Sequence, residues 1–155
     1  MKWFASILAV FAATNSAFAA NQRAIVLAAK GVQVYGCTHT SESYAWKLTG
    51  PEAILTDAAG HPAGRHFAGP TWQAADGSMV VGDPLVASQA PSGDAIAWIV
   101  LRAKDHKGGG QFATVAYIVR SATIGGLAPE TGCDAAHDGA ERRVDYSATY
   151  TFFPD

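Results

Sequence analysis

An all-β single domain, a mostly antiparallel β-sandwich or closed β-barrel, is the fold this sequence predicts. Three observations carry the prediction. Apolar residues recur at every second position in several segments, most clearly near the C-terminus. Gly and Pro, 16 and 7 of the 155 residues, cut the chain into short runs. Beyond residue 20 no amphipathic helical period lasts more than a turn or two. Strands must therefore bury the apolar side chains.

The first element stands outside that domain. Lys2, an apolar run from Trp3 to Ala13 and the small-x-small sequence Ala17-Phe18-Ala19 predict a secretory signal cleaved after Ala19. The run falls short of the ~20 residues that a membrane-spanning helix needs, and Thr14, Asn15 and Ser16 interrupt it. Cleavage removes residues 1–19 of 155 and leaves 136, enough for one domain, 20–155, with a real core. It also removes Lys2, taking the net charge from −2 to −3. With no basic stripe, nucleic acid is a poor partner, because phosphate binding needs clustered Lys and Arg. The expected location is periplasmic or extracellular, with no membrane span in the mature chain.

Ala24–Ala29, Gly31–Cys37, Tyr44–Thr49 and Glu52–Thr56 read as short strands. Asp57-Ala58-Ala59-Gly60 is a hairpin turn, and Asp76-Gly77 a second, followed by a strand at Ser78–Val81 that Gly82-Asp83-Pro84 ends. Ala95–Leu101 is apolar throughout and suits a central strand. Gln111–Arg120, rich in strand formers, is its partner across Lys107-Gly108-Gly109-Gly110. Arg143–Phe153 alternates most cleanly, with Val144, Tyr146, Ala148, Tyr150 and Phe152 on one face.

Cys37 and Cys133 are the only cysteines, outside any C-x-x-C motif, and in an exported protein they predict a structural disulfide. It would close a loop of about 97 residues, for which the chain-entropy account gives roughly 4 to 5 kcal/mol.

Several ordered motifs now add up. Gly64-Arg65-His66-Phe67-Ala68-Gly69-Pro70-Thr71-Trp72, Asp76-Gly77-Ser78, Trp98, Thr123-Ile124-Gly125-Gly126-Leu127-Ala128-Pro129 and Gly132-Cys133-Asp134 together resemble an exported family known as domain of unknown function 3455. The likeness runs from Gln33-Val34-Tyr35-Gly36-Cys37 to the final strand. It implies an exported single domain with no catalytic residue to carry over.

Gly108-Gly109-Gly110-Gln111-Phe112-Ala113 fits the dinucleotide fingerprint in letters only, since no strand leads directly into it and strand formers follow. It reads as an exposed hairpin loop, and no cofactor is expected. His61 and His66 could share a metal ion only if Pro62-Ala63-Gly64 turned, so the leading expectation is no metal. His66, Asp76 and Ser78 hold the residue types of a hydrolytic triad, without a nucleophile elbow. Trp46 and Trp98 read as core, whereas Trp72 sits in what reads as a Gly- and Pro-rich loop, where binding groups concentrate. The resulting expectation is a non-enzymatic site at His66, Phe67, Gly69, Thr71, Trp72 and Asp76, taking a small molecule, a glycan or an envelope partner. A metal-dependent enzyme or a hydrolase centred on His66 is the alternative.

Overall fold

The computed structural model describes residues 23–155, so the leader expected at 1–19 lies outside the described residues. Eight strands follow one another: β1 (Ile25–His39), β2 (Tyr44–Thr56), β3 (Pro62–Phe67), β4 (Thr71–Ala74), β5 (Met79–Ser88), β6 (Trp98–Lys107), β7 (Val115–Gly125) and β8 (Glu141–Pro154). Each pairs antiparallel with the next, and β8 closes on β1. Of sandwich and barrel, the chain therefore forms the closed barrel. Closure leaves no sheet edge to cover. No helix among the described residues is long and apolar enough to cross a membrane.

The strands are longer than the sequence pattern marks. Ala24–Ala29 and Gly31–Cys37 join through Lys30 into β1, because Lys30 faces outward and leaves the inward parity intact. Tyr44–Thr49 and Glu52–Thr56 join into β2 through Gly50-Pro51, where a register shift opposite Val34/Tyr35 absorbs the irregular residue. Gly82-Asp83-Pro84 does not end β5. Two register shifts let the strand run on to Ser88 with a proline inside it. Conversely Ala95 and Ile96 are buried but belong to no strand; they fold over one end of the barrel, and β6 takes in the charged residues to Lys107 instead.

The largest correction concerns Gly64 to Trp72. It is no loop but the β3–β4 hairpin, turning at Ala68-Gly69-Pro70 with a cis Gly69–Pro70 peptide. Its inward positions hold Gly, His and Trp instead of aliphatic residues, which hid the period of two.

The C-terminal strand is as expected, with Tyr146, Ala148, Tyr150 and Phe152 all buried against the interior. Cys37 and Cys133 are bonded, with Cα atoms 5.3 Å apart, tying β1 to the 126–140 connection.

The barrel has two unlike ends. The turns 57–61, 75–78 and 108–114 surround one, here the packed end. Phe112 plugs it and stacks on Phe152 at 4.4 Å, in the buried cluster that holds Val80 and Val115. Each such side chain contributes about 1.5–3 kcal/mol on burial. The connections 40–43, 68–70, 89–97 and 126–140 surround the other, the polar end. There Ile96 N–H donates to the Gly125 carbonyl at 2.9 Å, and Gly126 passes so close that a Cβ would lie 2.8 Å from Tyr146 Cβ and 3.3 Å from Gln33 Cγ. Only glycine, at φ 82°, fits.

Candidate functional site

On β3 neighbouring residues alternate between the faces of the sheet. His66 points into the barrel and Phe67 outward, where the Arg65 guanidinium lies 5.4 Å from its ring centroid. His66 pairs with Trp72 across the hairpin, and their rings stack at 4.4 Å, nearly parallel at 5°. Tyr150 meets both edge-on, at 5.0 and 5.3 Å. Room for the indole comes from Gly82, where a Cβ would stand 3.0 Å from Trp72 Cζ3.

His66 Nδ1 donates to the Thr71 carbonyl at 2.8 Å, which fixes the ring proton on Nδ1 and leaves Nε2 as an acceptor. Burial is the main force lowering its pKa, to about 4; the Thr71 bond opposes it and the Arg120 charge adds to it. The imidazole is neutral near pH 7. Thr71 Oγ1 donates to the Ala68 carbonyl at 3.0 Å and closes the turn that contains Gly69.

Asp76 lies elsewhere, at the packed end. Its carboxylate accepts Ser78 N–H at 2.9 Å, Ser78 Oγ–H at 2.6 Å and Gln111 N–H at 2.7 Å, and these bonds hold its pKa below the usual range. Ser78 Oγ also accepts Phe112 N–H at 3.0 Å. The serine hydroxyl is thus used twice in fastening the plug, and His66 is bonded to neither residue. His61 sits in the 57–61 turn beside Asp57, Nδ1 to Oδ2 3.3 Å. Five residues of strand, about 16 Å, separate it from His66. Of the six candidate positions, then, the barrel brings His66 and Trp72 together inside. Gly69 and Thr71 shape the adjoining turn, Phe67 lies outside and Asp76 lies at the far end.

The interior beside His66 contains groups that the sequence motifs did not flag. Six buried polar side-chain atoms have no protein hydrogen-bond partner among the described residues: Gln33 Oε1, Trp72 Nε1, Trp98 Nε1, Thr123 Oγ1, Tyr146 OH and Tyr150 OH. Most form one contiguous set. Gln33 and Tyr146 flank Gly126, and the Tyr35 hydroxyl donates to the Gly126 carbonyl at 2.7 Å. The Tyr146 and Tyr150 hydroxyls lie close enough to act on each other as hydrogen-bonding groups, and Arg120 does the same towards Tyr150, although none of these contacts has ordinary hydrogen-bond geometry. Burial raises the pKa of Tyr35, Tyr146 and Tyr150, so all three remain protonated donors. Tyr146 and Tyr150 were legible as core positions of an alternating strand; that their hydroxyls lack partners was not.

A groove of about 480 Å³ crosses the outer surface of β1–β3, with Lys30, Ile54, Arg65 and Phe67 among its walls. Its polar rim is largely self-satisfied. Arg65 donates to Gln73 Oε1 at 2.7 Å, and Glu52 is ion-paired with Arg143.

Residues 18–154 match the family described as protein of unknown function (DUF3455). No curated protein and no solved structure matches the chain.

Proposed function

The chain belongs to the DUF3455 family, and from that premise we propose that it is an exported, non-enzymatic binding protein whose small ligand lodges in the polar end of the barrel. One observation carries the reading. Buried polar groups in folded proteins are nearly always hydrogen-bonded, and leaving one without a partner costs about 1–3 kcal/mol. Here Gln33 and Trp72 present such atoms, and the Tyr146 and Tyr150 hydroxyls meet only each other and Arg120, in poor geometry. An eight-stranded barrel is wide enough either to be filled by its own side chains or to hold one small ligand. The packed end takes the first course, and the polar end offers donors for the second. His66 and Trp72 form one wall of that site. The competing occupant is ordered water, which also satisfies such groups.

The test is a thermal-shift screen of small molecules on the wild type, on Tyr150→Phe and on Gln33→Leu, with Arg65→Gln as the outer-groove control. A true ligand raises the melting temperature in step with the logarithm of its concentration well above its Kd. The effect should shrink in the two interior variants and persist in Arg65→Gln. The opposite pattern would move the site to the outer groove. Export is supported by the Cys37–Cys133 bond, a linkage that persists in oxidising compartments. N-terminal sequencing of secreted protein should then begin at Ala20.

A further inference from the structure

Apolar side chains gather on one outer face of the barrel. In register across the sheet, Val86 of β5 faces Val100 of β6, which in turn faces Val119 of β7. Val100 and Val119 alternate with the buried Leu101 and Ile118, so the row points outward. A register shift leaves Leu85 as an extra residue between the Pro84 and Val86 pairings. Leu85 and Val86 both stand proud, 49% and 61% exposed. Beside them a cleft of about 150 Å³ lies among Val86, Trp98, Val100 and Val119. A cavity of that order admits a benzene-sized group, hence also a leucine side chain. One face thus carries both a knob and a socket, and exposed apolar patches of this kind mark interaction surfaces.

The charges on this face are matched in the same way. Asp83 and Arg102 are cross-strand neighbours and both are exposed. Among the described residues neither forms an ion pair. A two-fold axis running along the strands between β5 and β6 would bring each β5 position of one copy onto the β6 position with which it pairs. Val86 then lies over Val100 of the second copy, Asp83 over its Arg102, and Leu85 over its cleft. An interface about a two-fold axis has to be self-complementary in this manner.

We propose that two copies of the chain associate through this β5–β6 face about such an axis. A lipid surface fits it less well, since anionic membranes select clusters of Lys and Arg, and the cation here stands beside a carboxylate. From Trp98 to Arg102 the face runs about 13 Å along the strands, and from β5 to β7 about 10 Å across them. That is well below the ~800 Å² per partner of a standard interface, so the dimer is weak and reversible. The face lies outside the barrel wall and is independent of any ligand within it.

Sedimentation equilibrium from micromolar to millimolar concentration tests it. The wild type should pass reversibly from monomer to dimer. Leu85→Asp should weaken association at least tenfold and leave the melting temperature of the monomer unchanged, because Leu85 is exposed. Asp83→Arg and Arg102→Glu each oppose like charges in a pair of identical chains, and each alone should likewise be at least tenfold weaker. Mixed in equal amounts, these two variants should recover the wild-type affinity, because every cation then meets a carboxylate. Glu42→Arg, on the exposed 40–43 connection, has the same net charge as Asp83→Arg and should fail to replace it in the mixture. A wild type that stays monomeric to millimolar concentration overturns the proposal; if that monomer sediments with phosphatidylcholine vesicles, a lipid surface is the occupant instead. If the wild type dimerises but neither Leu85→Asp nor the two charge reversals weaken it, another face makes the contact and this one is overturned.

Discussion

The two ends of the barrel are built by the same eight strands yet solve the problem of a closed interior in opposite ways. At the packed end Phe112 and Phe152 stack over aliphatic neighbours, and the nearby polar groups of Asp76, Ser78 and Gln111 are bonded to one another. At the polar end the inward positions carry Gln33, His66, Arg120, Tyr146 and Tyr150, and several of their polar atoms have no protein partner. The contrast teaches that barrel topology fixes which residues face inward but not the dielectric they create. A fold can place an apolar core and a stretch of interior with incompletely bonded polar groups along one axis, with His66, Trp72 and Tyr150 stacked at the boundary.

That contrast can be broken first where it is held covalently. The Cys37–Cys133 bond ties β1 to the connection that roofs the polar end, and closing so long a loop contributes about 4 to 5 kcal/mol on the chain-entropy account. Reduction should lower the melting temperature and raise amide exchange around Tyr35 and Gly126 first. Phe112 and Phe152 amides should stay protected until global unfolding. Equal exchange at both ends would show that they are one cooperative unit.

Next is the packing itself. Phe152→Ala removes a fully buried ring from the packed end and should cost roughly 3–5 kcal/mol in denaturant unfolding. A cost below about 1 kcal/mol would mean that the packed end is no tighter than the polar one.

The boundary histidine gives a pH-dependent difference. The unfolded chain takes up a proton on His66 near pH 6.5, whereas the folded chain resists until about pH 4. Between those values the unfolded state binds more protons, so stability is full above pH 6.5 and falls as pH drops towards 4, by roughly 3 kcal/mol in all. His66→Gln should flatten that slope while leaving the remainder of the acid transition in place. An unchanged slope would show that His66 is charged when folded.

Much of this architecture was legible in the sequence, and the misses share a cause. Tyr146, Ala148, Tyr150 and Phe152 could be read because large residues alternate with Ser and Thr. The Cys pair could be read because it had no competitor. The β3–β4 hairpin could not, since Gly64, His66 and Trp72 are inward residues of three different kinds and Gly69-Pro70 imitates a loop. For the same reason the sequence places Trp72 in a loop, among binding residues, yet it faces the interior at 1% exposure. Arg120 escapes the pattern because its meeting with Tyr150 depends on the β7–β8 register, and its approach to Tyr35 and His66 on the closure of the barrel. A local pattern does not contain that meeting.

The smallest expected effect bears most directly on what fills the polar end. Tyr150→Phe deletes one hydroxyl from a side chain that is otherwise packed on His66, Trp72 and Phe152. If that hydroxyl is truly without a partner in the free protein, the variant sheds a desolvation penalty and keeps every ring contact. Stability should then rise by up to about 1 kcal/mol. If ordered water already serves the hydroxyl, the variant breaks a bond and strands its partner, and stability should fall by a similar amount. Chemical denaturation at pH 7, above the His66 transition, reads the sign without interference from the imidazole. A gain in stability combined with a loss of ligand affinity is the signature of a residue kept for binding at the expense of folding, because selection for stability alone would favour phenylalanine there.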